Sequence, residues 1–267
     1  MPAGSWDCHC HVFGPAARFP YAEGRTYTPA DSPAEHLFAL HDRFGIEHAV
    51  LVQPAAHGTD HSALLAALRQ SHGRYRGIML AGDDFATHDL EALHALGIRG
   101  IRLNLIPRLG SLPAPAALRS LAESIRPFGW HFLVHAEAGD LGAIRPLLDL
   151  GLPVAIDHMG RLDAAAGPDQ PAMHVLLDLL RNPNCWIKLS GIDRASRRGF
   201  PYDDALPLAQ KLFAAAPERS LWGTDFPHPN HPDVPDDADL IATLPLLAPA
   251  VADRRRLLVE NPSRLYS

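Results

Sequence analysis

The sequence predicts a (β/α)8 barrel made of one domain, residues 1–267, with its functional groups at the C-terminal ends of eight strands. Three observations carry this. Short apolar runs alternate eight times with stretches of helical periodicity. The chain has 267 residues and no linker-like shift in composition, which suits one large α/β domain. A polar side chain also closes nearly every apolar run: His9 and His11, Gln53, Asp83, Arg102 and Asn104, His135, His158, Lys188 and Ser190, and Asp225. Chance places one or two such residues at strand ends, not one at almost every strand. The competing architecture, a doubly wound open sheet, is weakened because no G-x-G-x-x-G follows the first strand.

The first strand lies within Ser5–Phe13 and carries two histidines two residues apart. Side chains alternate faces along a strand, so His9 and His11 share one face, and Cys8 and Cys10 take the other. On this reading the cysteines face the helices as small packing residues. Residues 14–33 form an irregular stretch rich in Pro, Arg and Tyr, long enough to be functional. Ser32 and Glu35 have capping-box spacing and open a helix over about 34–44, ended by Gly45. A strand over 47–53 ends at Gln53-Pro54, and a helix covers about 60–71. The strand 76–81 runs into the turn Gly82-Asp83-Asp84, before a helix over about 87–96 closed by Gly97. The strand 98–103 precedes a helix over 114–127, and the strand 131–135 a helix over about 140–150 closed by Gly151. The strand 153–157 leads to a helix over about 171–181, and the strand 185–189 to one over about 203–215. The strand 221–224 ends in Asp225-Phe226-Pro227-His228-Pro229-Asn230, and helices over about 237–247 and 252–258 finish the chain.

Composition excludes several classes. The net charge is −6, and no basic block stands out, which argues against nucleic acid and against an anionic membrane surface. No apolar run approaches the roughly 18–20 residues of a membrane span. Three cysteines, two of them beside histidines, are no disulfide framework and fit a reducing cytosol. The N-terminus lacks a charged segment followed by an apolar run, so a cytoplasmic protein without a signal peptide is expected. A homo-oligomer is compatible with these features.

The strand-end residues suggest chemistry. His9, His11, His158 and Asp225 could converge on one point. There they could bind a divalent metal that activates water or polarises a carbonyl. Without metal, the histidines could donate hydrogen bonds to a developing oxyanion, with Asp225 as general base on water. The plainer alternative for Asp225 is a cap on the following loop. Arg102, Arg108, Arg161 and Arg194 all follow strand ends on the same rim, and arginine offers a planar fork for carboxylates. Several convergent arginines imply a small anionic substrate, although Arg108 and Arg194 sit further from their strands and could be solvated. Asn230 and His228 lie close to Asp225, in a loop stiffened by two prolines. His36, His41, His57 and His61 read as surface or capping residues.

Asp7-Cys8-His9-Cys10-His11-Val12-Phe13-Gly14-Pro15, Phe19-Pro20-Tyr21, Tyr27-Thr28-Pro29, Val52-Gln53-Pro54, Asp157-His158-Met159-Gly160-Arg161, Lys188-Leu189-Ser190-Gly191 and Trp222-Gly223-Thr224-Asp225-Phe226-Pro227-His228-Pro229 together resemble the amidohydrolase superfamily. More narrowly they resemble the amidohydrolase-2 branch, which holds lactonases of 2-pyrone-4,6-dicarboxylate, sulfomuconolactone and sugar lactones. The resemblance runs from about residue 5 to the closing Glu260-Asn261-Pro262-Ser263-Arg264-Leu265-Tyr266. It implies a distorted barrel and hydrolysis of a carboxylated lactone. By motif, Asp225 matches the general base, and His9, His11 and His158 match the residues around the substrate carbonyl. Arg102, Arg108, Arg161, Arg194 and Asn230 match positions that hold substrate carboxylates. His135 departs from the pattern, standing where the pyrone lactonases carry a tyrosine, and adds a substrate contact or a ligand. Metal use varies in the branch, so the resemblance implies either no cofactor or one Zn2+. His9, His11 and Asp225 would then be ligands, with His135 or His158 as an additional one. A metal-dependent decarboxylase of an aromatic or muconate-type acid is the competing activity, and a non-catalytic acid-binding barrel a third reading.

Overall fold

The computed structural model describes residues 1–267 except 83, 84, 86, 87 and 110–112, and leaves the side chain of residue 107 undescribed. The predicted Asp83 and most of its acidic turn lie outside the described residues. Eight parallel strands form one sheet in sequential order: β1 Trp6–Cys10, β2 His48–Val52, β3 Tyr75–Leu80, β4 Ile98–Asn104, β5 His131–His135, β6 Val154–Ile156, β7 Cys185–Lys188 and β8 Ser220–Leu221. The last ladder is short, but the chain beyond it runs on beside β1. Cys8 N donates to Trp222 O at 2.8 Å, Asp225 N to His9 O at 2.8 Å, and His11 N to Phe226 O at 2.8 Å. These bonds close the barrel, and they place Asp225 against His9 and His11.

All eight strands are present where the sequence predicts them, because their apolar runs are buried on both faces, as a barrel inside a ring of helices requires. Outward-facing residues such as Leu51, Ile101, Phe132 and Ile187 pack against the helices. The inward set, Val50, Val52, Ile78, Leu133, Ala155, Trp186 and Leu221, fills the barrel axis. Cys8 belongs to this inner set, while Cys10 packs outward. Strict alternation predicted both cysteines on the helix side. It fails because the β1–β2 register shifts between Asp7 and Cys10, a bulge that turns Cys8 to the axis without moving His9 and His11 from the barrel mouth.

The helices are mostly as predicted; besides the unpredicted turn Ile192–Ala195 and the π segment Arg256–Glu260 in the helix predicted over 252–258, four revisions stand out. The helix α1, Ala34–Phe44, has Pro33 at its N-cap with no side-chain cap, and Ser32 instead pairs with Phe13 through backbone bonds. After β5 the chain forms a 3-10 stretch, Ala138–Ile144, before one α turn, Arg145–Leu148, so the predicted helix is mostly not α. The helix predicted over 237–247 divides into Asp237–Ala242 and Leu244–Leu247, and Pro245, whose ring cannot continue a helical ladder, lies at the start of the second. A terminal helix, Asn261–Tyr266, was not predicted. It packs Leu265 and Tyr266 into the inner cluster at the N-terminal end of the barrel.

Candidate active site

The mouth of the barrel is built from strand ends held in strained backbone. Among the described residues, eight non-glycine residues have positive φ, and six of them, His158, Met159, Arg161, Asp225, His228 and Asn230, follow β6 or β8. Such conformations are costly for L side chains and persist where surrounding structure enforces them. For Asp225 (φ 66°) the enforcement is visible. Asp7 accepts from Thr224 Oγ1 at 2.5 Å, Thr224 N at 3.1 Å and His9 N at 3.0 Å. Gly223 makes this approach sterically feasible, since a Cβ there would lie 2.5 Å from His9 N. Asp7 also contacts His41 Nε2 at 3.3 Å, and His41 Nδ1 meets Tyr75 Oη at 2.6 Å. His41, predicted as a surface residue, is therefore fully buried and braces Asp7. His57 and His61 are buried as well, held by the carbonyls of Pro20 and Leu80, whereas His36 is exposed as predicted.

Asp225 is the hub. Its Oδ1 lies 3.3 Å from His11 Nε2, 3.6 Å from His9 Nε2 and 3.9 Å from His158 Nε2. Its Oδ2 accepts from Arg194 Nε at 2.7 Å and lies 2.6 Å from Arg194 Nη2. Burial opposes its charge, but Arg194, His158 and His11 outweigh that and hold its carboxyl well below the usual carboxylate range. Burial pushes His9, His135 and His158 toward the neutral form. Burial lowers His158 to about 4, and it takes His9 and His135 well below their ordinary value.

Ring tautomers follow from the partners. His11 Nδ1 lies 2.7 Å from Val52 O, which can only accept, so Nδ1 carries the proton and Nε2 turns toward Asp225. His9 Nδ1 has Asp157 Oδ1 at 3.0 Å and Lys188 Nζ at 3.2 Å. An ammonium can only donate, so the Lys188 hydrogen bond sets a lone pair on Nδ1 and the proton on Nε2, facing Asp225, while the Asp157 carboxylate beside it attracts a proton onto Nδ1. That Nε2 is buried without a hydrogen-bond partner. Asp157 stays ionised against its burial because Lys188 (3.5 Å) and Arg102 (3.2 Å) flank it, and its own anion in turn opposes the loss of charge that burial urges on Lys188. The sequence marked Lys188 as a polar strand-end residue without giving it a role, and did not mark Asp157. The signal was present, since both stand at strand ends between marked residues, but a charged pair that never reaches solvent is a tertiary fact.

His9, His11 and Asp225 bring one ligand atom each within 4.8 Å of one another. The donor set fits a divalent metal. Two ring nitrogens face a carboxylate oxygen, and each ring's other nitrogen meets a carbonyl or carboxylate, the support that metal-bound histidines ordinarily have. Among the described residues, two further triads could hold an ion, His9–Asp157–His158 and Asp7–Cys10–His41. The latter is occupied by its own hydrogen bonds.

Above Asp225 lies a small polar pocket of about 80 Å3. It brings together every remaining predicted contact residue: Arg102, Arg108, His135, Arg161, Arg194 and Asn230. Their states differ. Arg102 is buried and bound to Asp157, and Arg194 to Asp225. Arg161 Nε donates to Glu137 Oε2 at 2.8 Å, and the exposed Arg108 pairs with the same Glu137 at 3.3 Å. Both ring nitrogens of buried His135 lack a partner. Tyr27, from the 14–33 stretch, also lines the pocket, with Arg102 and Asp225 close enough to influence its phenol. The sequence marked this stretch as functional without singling out Tyr27. His228 is instead held by Asp237 at 3.1 Å, and Gln53 by the carbonyls of Gly58 and Asp60.

A closed parallel barrel with a histidine pair after β1, a histidine after β6 and an aspartate after β8 around one point defines an enzyme of the hydrolytic barrel class. The chain belongs to the amidohydrolase family, whose description, Amidohydrolase, matches residues 6–267. It is 41% identical to a 4-sulfomuconolactone hydrolase of Hydrogenophaga intermedia, over all of this chain and 89% of the relative. It is 38% identical to a 2-pyrone-4,6-dicarboxylate hydrolase of Comamonas testosteroni, over all of this chain and 91% of that protein. A solved structure from Acinetobacter baumannii, described as a probable 2-pyrone-4,6-dicarboxylic acid hydrolase with citric acid bound, superposes with a TM-score of 0.86 at 27% identity, covering 98% of this chain and 99% of the other.

Proposed function

We propose that this enzyme is a lactone hydrolase that opens a small anionic lactone, of the 2-pyrone-4,6-dicarboxylate or sulfomuconolactone kind, by attack of water on the ring carbonyl. One observation carries the reading: a buried carboxylate, Asp225, faces three histidines on one side and an arginine-lined pocket on the other. Full-length relatives named as hydrolases of two such lactones support it, as does a tricarboxylate in a structural relative.

In this mechanism Asp225 takes a proton from water, and the resulting hydroxide attacks the carbonyl carbon. Electron density moves onto the carbonyl oxygen, toward which His9 and His158 can each hold a proton on Nε2 when Lys188 Nζ and Ser190 Oγ donate to their Nδ1 atoms, and which His11 also faces. The tetrahedral intermediate collapses with departure of the ring oxygen, which takes the proton that Asp225 accepted and becomes the hydroxyl of the open-chain acid. Arg102, Arg108, Arg161, Arg194 and Asn230, with His135 and Tyr27, orient the anionic groups so that the carbonyl meets the base. A divalent ion such as Zn2+ would be held by His9, His11 and Asp225, with His158 the nearer candidate for a further ligand, and it would supply carbonyl polarisation and a more acidic water. Three free, buried cysteines are in keeping with a cytoplasmic setting, and among the described residues no helix is long and apolar enough to cross a membrane.

The test is ultraviolet-monitored hydrolysis of 2-pyrone-4,6-dicarboxylate and of 4-sulfomuconolactone, before and after chelator treatment and with Zn2+ added back. Formation of the ring-opened acid without release of CO2 is the expected product pattern. Release of CO2 would replace the lactonase reading with decarboxylation. Inertness toward both lactones would remove these substrates.

A further inference from the structure

Beside the polar pocket lies a second, much larger space. A cavity of about 750 Å3 opens between the ends of β3 and β4, the turn after β2 and the helix α2, Pro115–Ile125. More of its wall is apolar than polar: Leu80, Phe85, Leu90, Leu109 and Leu121 stand among Thr59, Arg102, Asn104, Ser120 and Ser124. Leu80, Leu90 and Leu109 are only half-buried, an apolar concave surface left partly open to water. The cavity and the polar pocket share Ala55, Arg102 and Leu109, so they are adjoining chambers of one mouth.

Arg102, at the junction, and Asn104, on the wall of the large cavity, carry polar atoms without partners among the described residues. Arg102 and Asn104, 6% and 5% exposed, both line the large cavity. Arg102 Nε and Asn104 Oδ1 are buried and make no hydrogen bond. Buried polar atoms are ordinarily satisfied, so an unmatched donor at the junction and an unmatched acceptor on the neighbouring wall leave hydrogen-bonding capacity beside the space a ligand would fill.

The polar pocket alone, about 80 Å3, has room for little beyond the reacting edge of a small ring. Cavities of about 300–1,000 Å3 are those that enclose drug-sized ligands. We propose that the substrate of this enzyme is an anionic lactone bearing a bulky apolar substituent, an aryl or branched alkyl group, which seats in the β3–β4 cavity while the lactone carbonyl reaches Asp225. Arg102, where the two parts join, and Asn104, on the neighbouring wall, meet the polar edge of the ring. The inference rests on the anionic-lactone reading and narrows it to a substituted class.

The test uses inert acids, so that it does not depend on turnover. Isothermal titration compares benzene-1,3-dicarboxylate with its 5-phenyl derivative, on the wild-type protein and on Ala117→Trp and Ser120→Trp. Both positions line the cavity from the exposed face of α2, so the folding core is untouched. Burial of the added ring should tighten binding to the wild type about tenfold or more. The two acids should compete. In either Trp variant the advantage should vanish while the parent acid binds as before. Equal affinity for the two acids, an advantage that survives both variants, or binding of the phenyl acid without competition would each overturn the inference while leaving the anionic site standing. No binding of the parent acid would overturn the anionic-site reading, and the inference with it.

Discussion

His11 presents Nε2 to Asp225 Oδ1 at 3.3 Å while its Nδ1 is committed to the Val52 carbonyl at 2.7 Å. A carbonyl accepts only, so the ring cannot turn its proton toward the carboxylate without losing that bond. A neutral ring would then set a lone pair against an anion. The contact is attractive only with a proton on Nε2 or a cation beside it. Either arrangement concentrates positive charge where a carbonyl oxygen turning anionic would sit, and it keeps Asp225 ionised and able to accept a proton from water.

Asp225→Asn keeps the shape and removes the base. We expect kcat to fall by about 10^2–10^4-fold, the usual contribution of a positioned general base. Arg194 retains partial solvent access, so the loss of its counter-ion should leave the far-ultraviolet dichroism and cooperative thermal melt intact. Lactonase activity within a factor of a few of wild type, measured on the same substrate, would take Asp225 out of the mechanism.

Lys188 tests the layer beneath. Its side chain is fully buried, 3.2 Å from His9 Nδ1 and 3.5 Å from Asp157 Oδ1. Lys188→Met leaves Asp157 with Arg102 as its one remaining ion-pair partner besides His9. Removing one partner from a buried ionic cluster typically costs about 3–5 kcal/mol, so a marked drop in urea midpoint is expected, together with a lower kcat as His9 loses its fixed orientation. An unchanged urea midpoint would show that Arg102 alone suffices to hold Asp157.

This layer also shows where sequence reading stops. The eight strands, the two-residue spacing of His9 and His11, and the polar strand ends were legible because barrel strands impose burial and period. The aspartate after β8 was legible for the same reason. The inward turn of Cys8 was not, since a bulge is a property of register between two strands. Nor were the buried states of His41, His57 and His61, whose partners lie 19–37 residues away. Charge and helix position suggest a solvated histidine until the fold supplies a carboxylate or a carbonyl.

Acid should destabilise the protein through a histidine remote from the site. His131, the first residue of β5, is fully buried, hydrogen-bonded through Nδ1 to Arg99 O at 2.8 Å and packed edge-on against Tyr266. Burial, with Lys188 adding to it, lowers its pKa from 6.5 to about 3. Between those values the unfolded chain takes up a proton that the folded chain refuses, so stability is complete above about pH 6.5 and declines as pH falls toward 3, by on the order of a few kcal/mol. Urea titrations across this range should show the decline in wild type and a shallower one in His131→Leu. Parallel slopes would assign the acid sensitivity to other groups.

The arginines should separate substrate binding from scaffold. Arg102 both lines the pocket and neutralises Asp157, so Arg102→Met should raise KM and lower thermal stability together. Arg161 lines the same pocket, but its other partner is the half-buried Glu137, which water can solvate. Arg161→Met should therefore raise KM for a dianionic lactone by about 10–100-fold, the range of a charged hydrogen bond, with the melting temperature nearly unchanged. A monoanionic analogue lacking the group that Arg161 contacts should lose much less on the same substitution. If both substrates lose equally, Arg161 acts on the loop after β6 and not on a substrate anion.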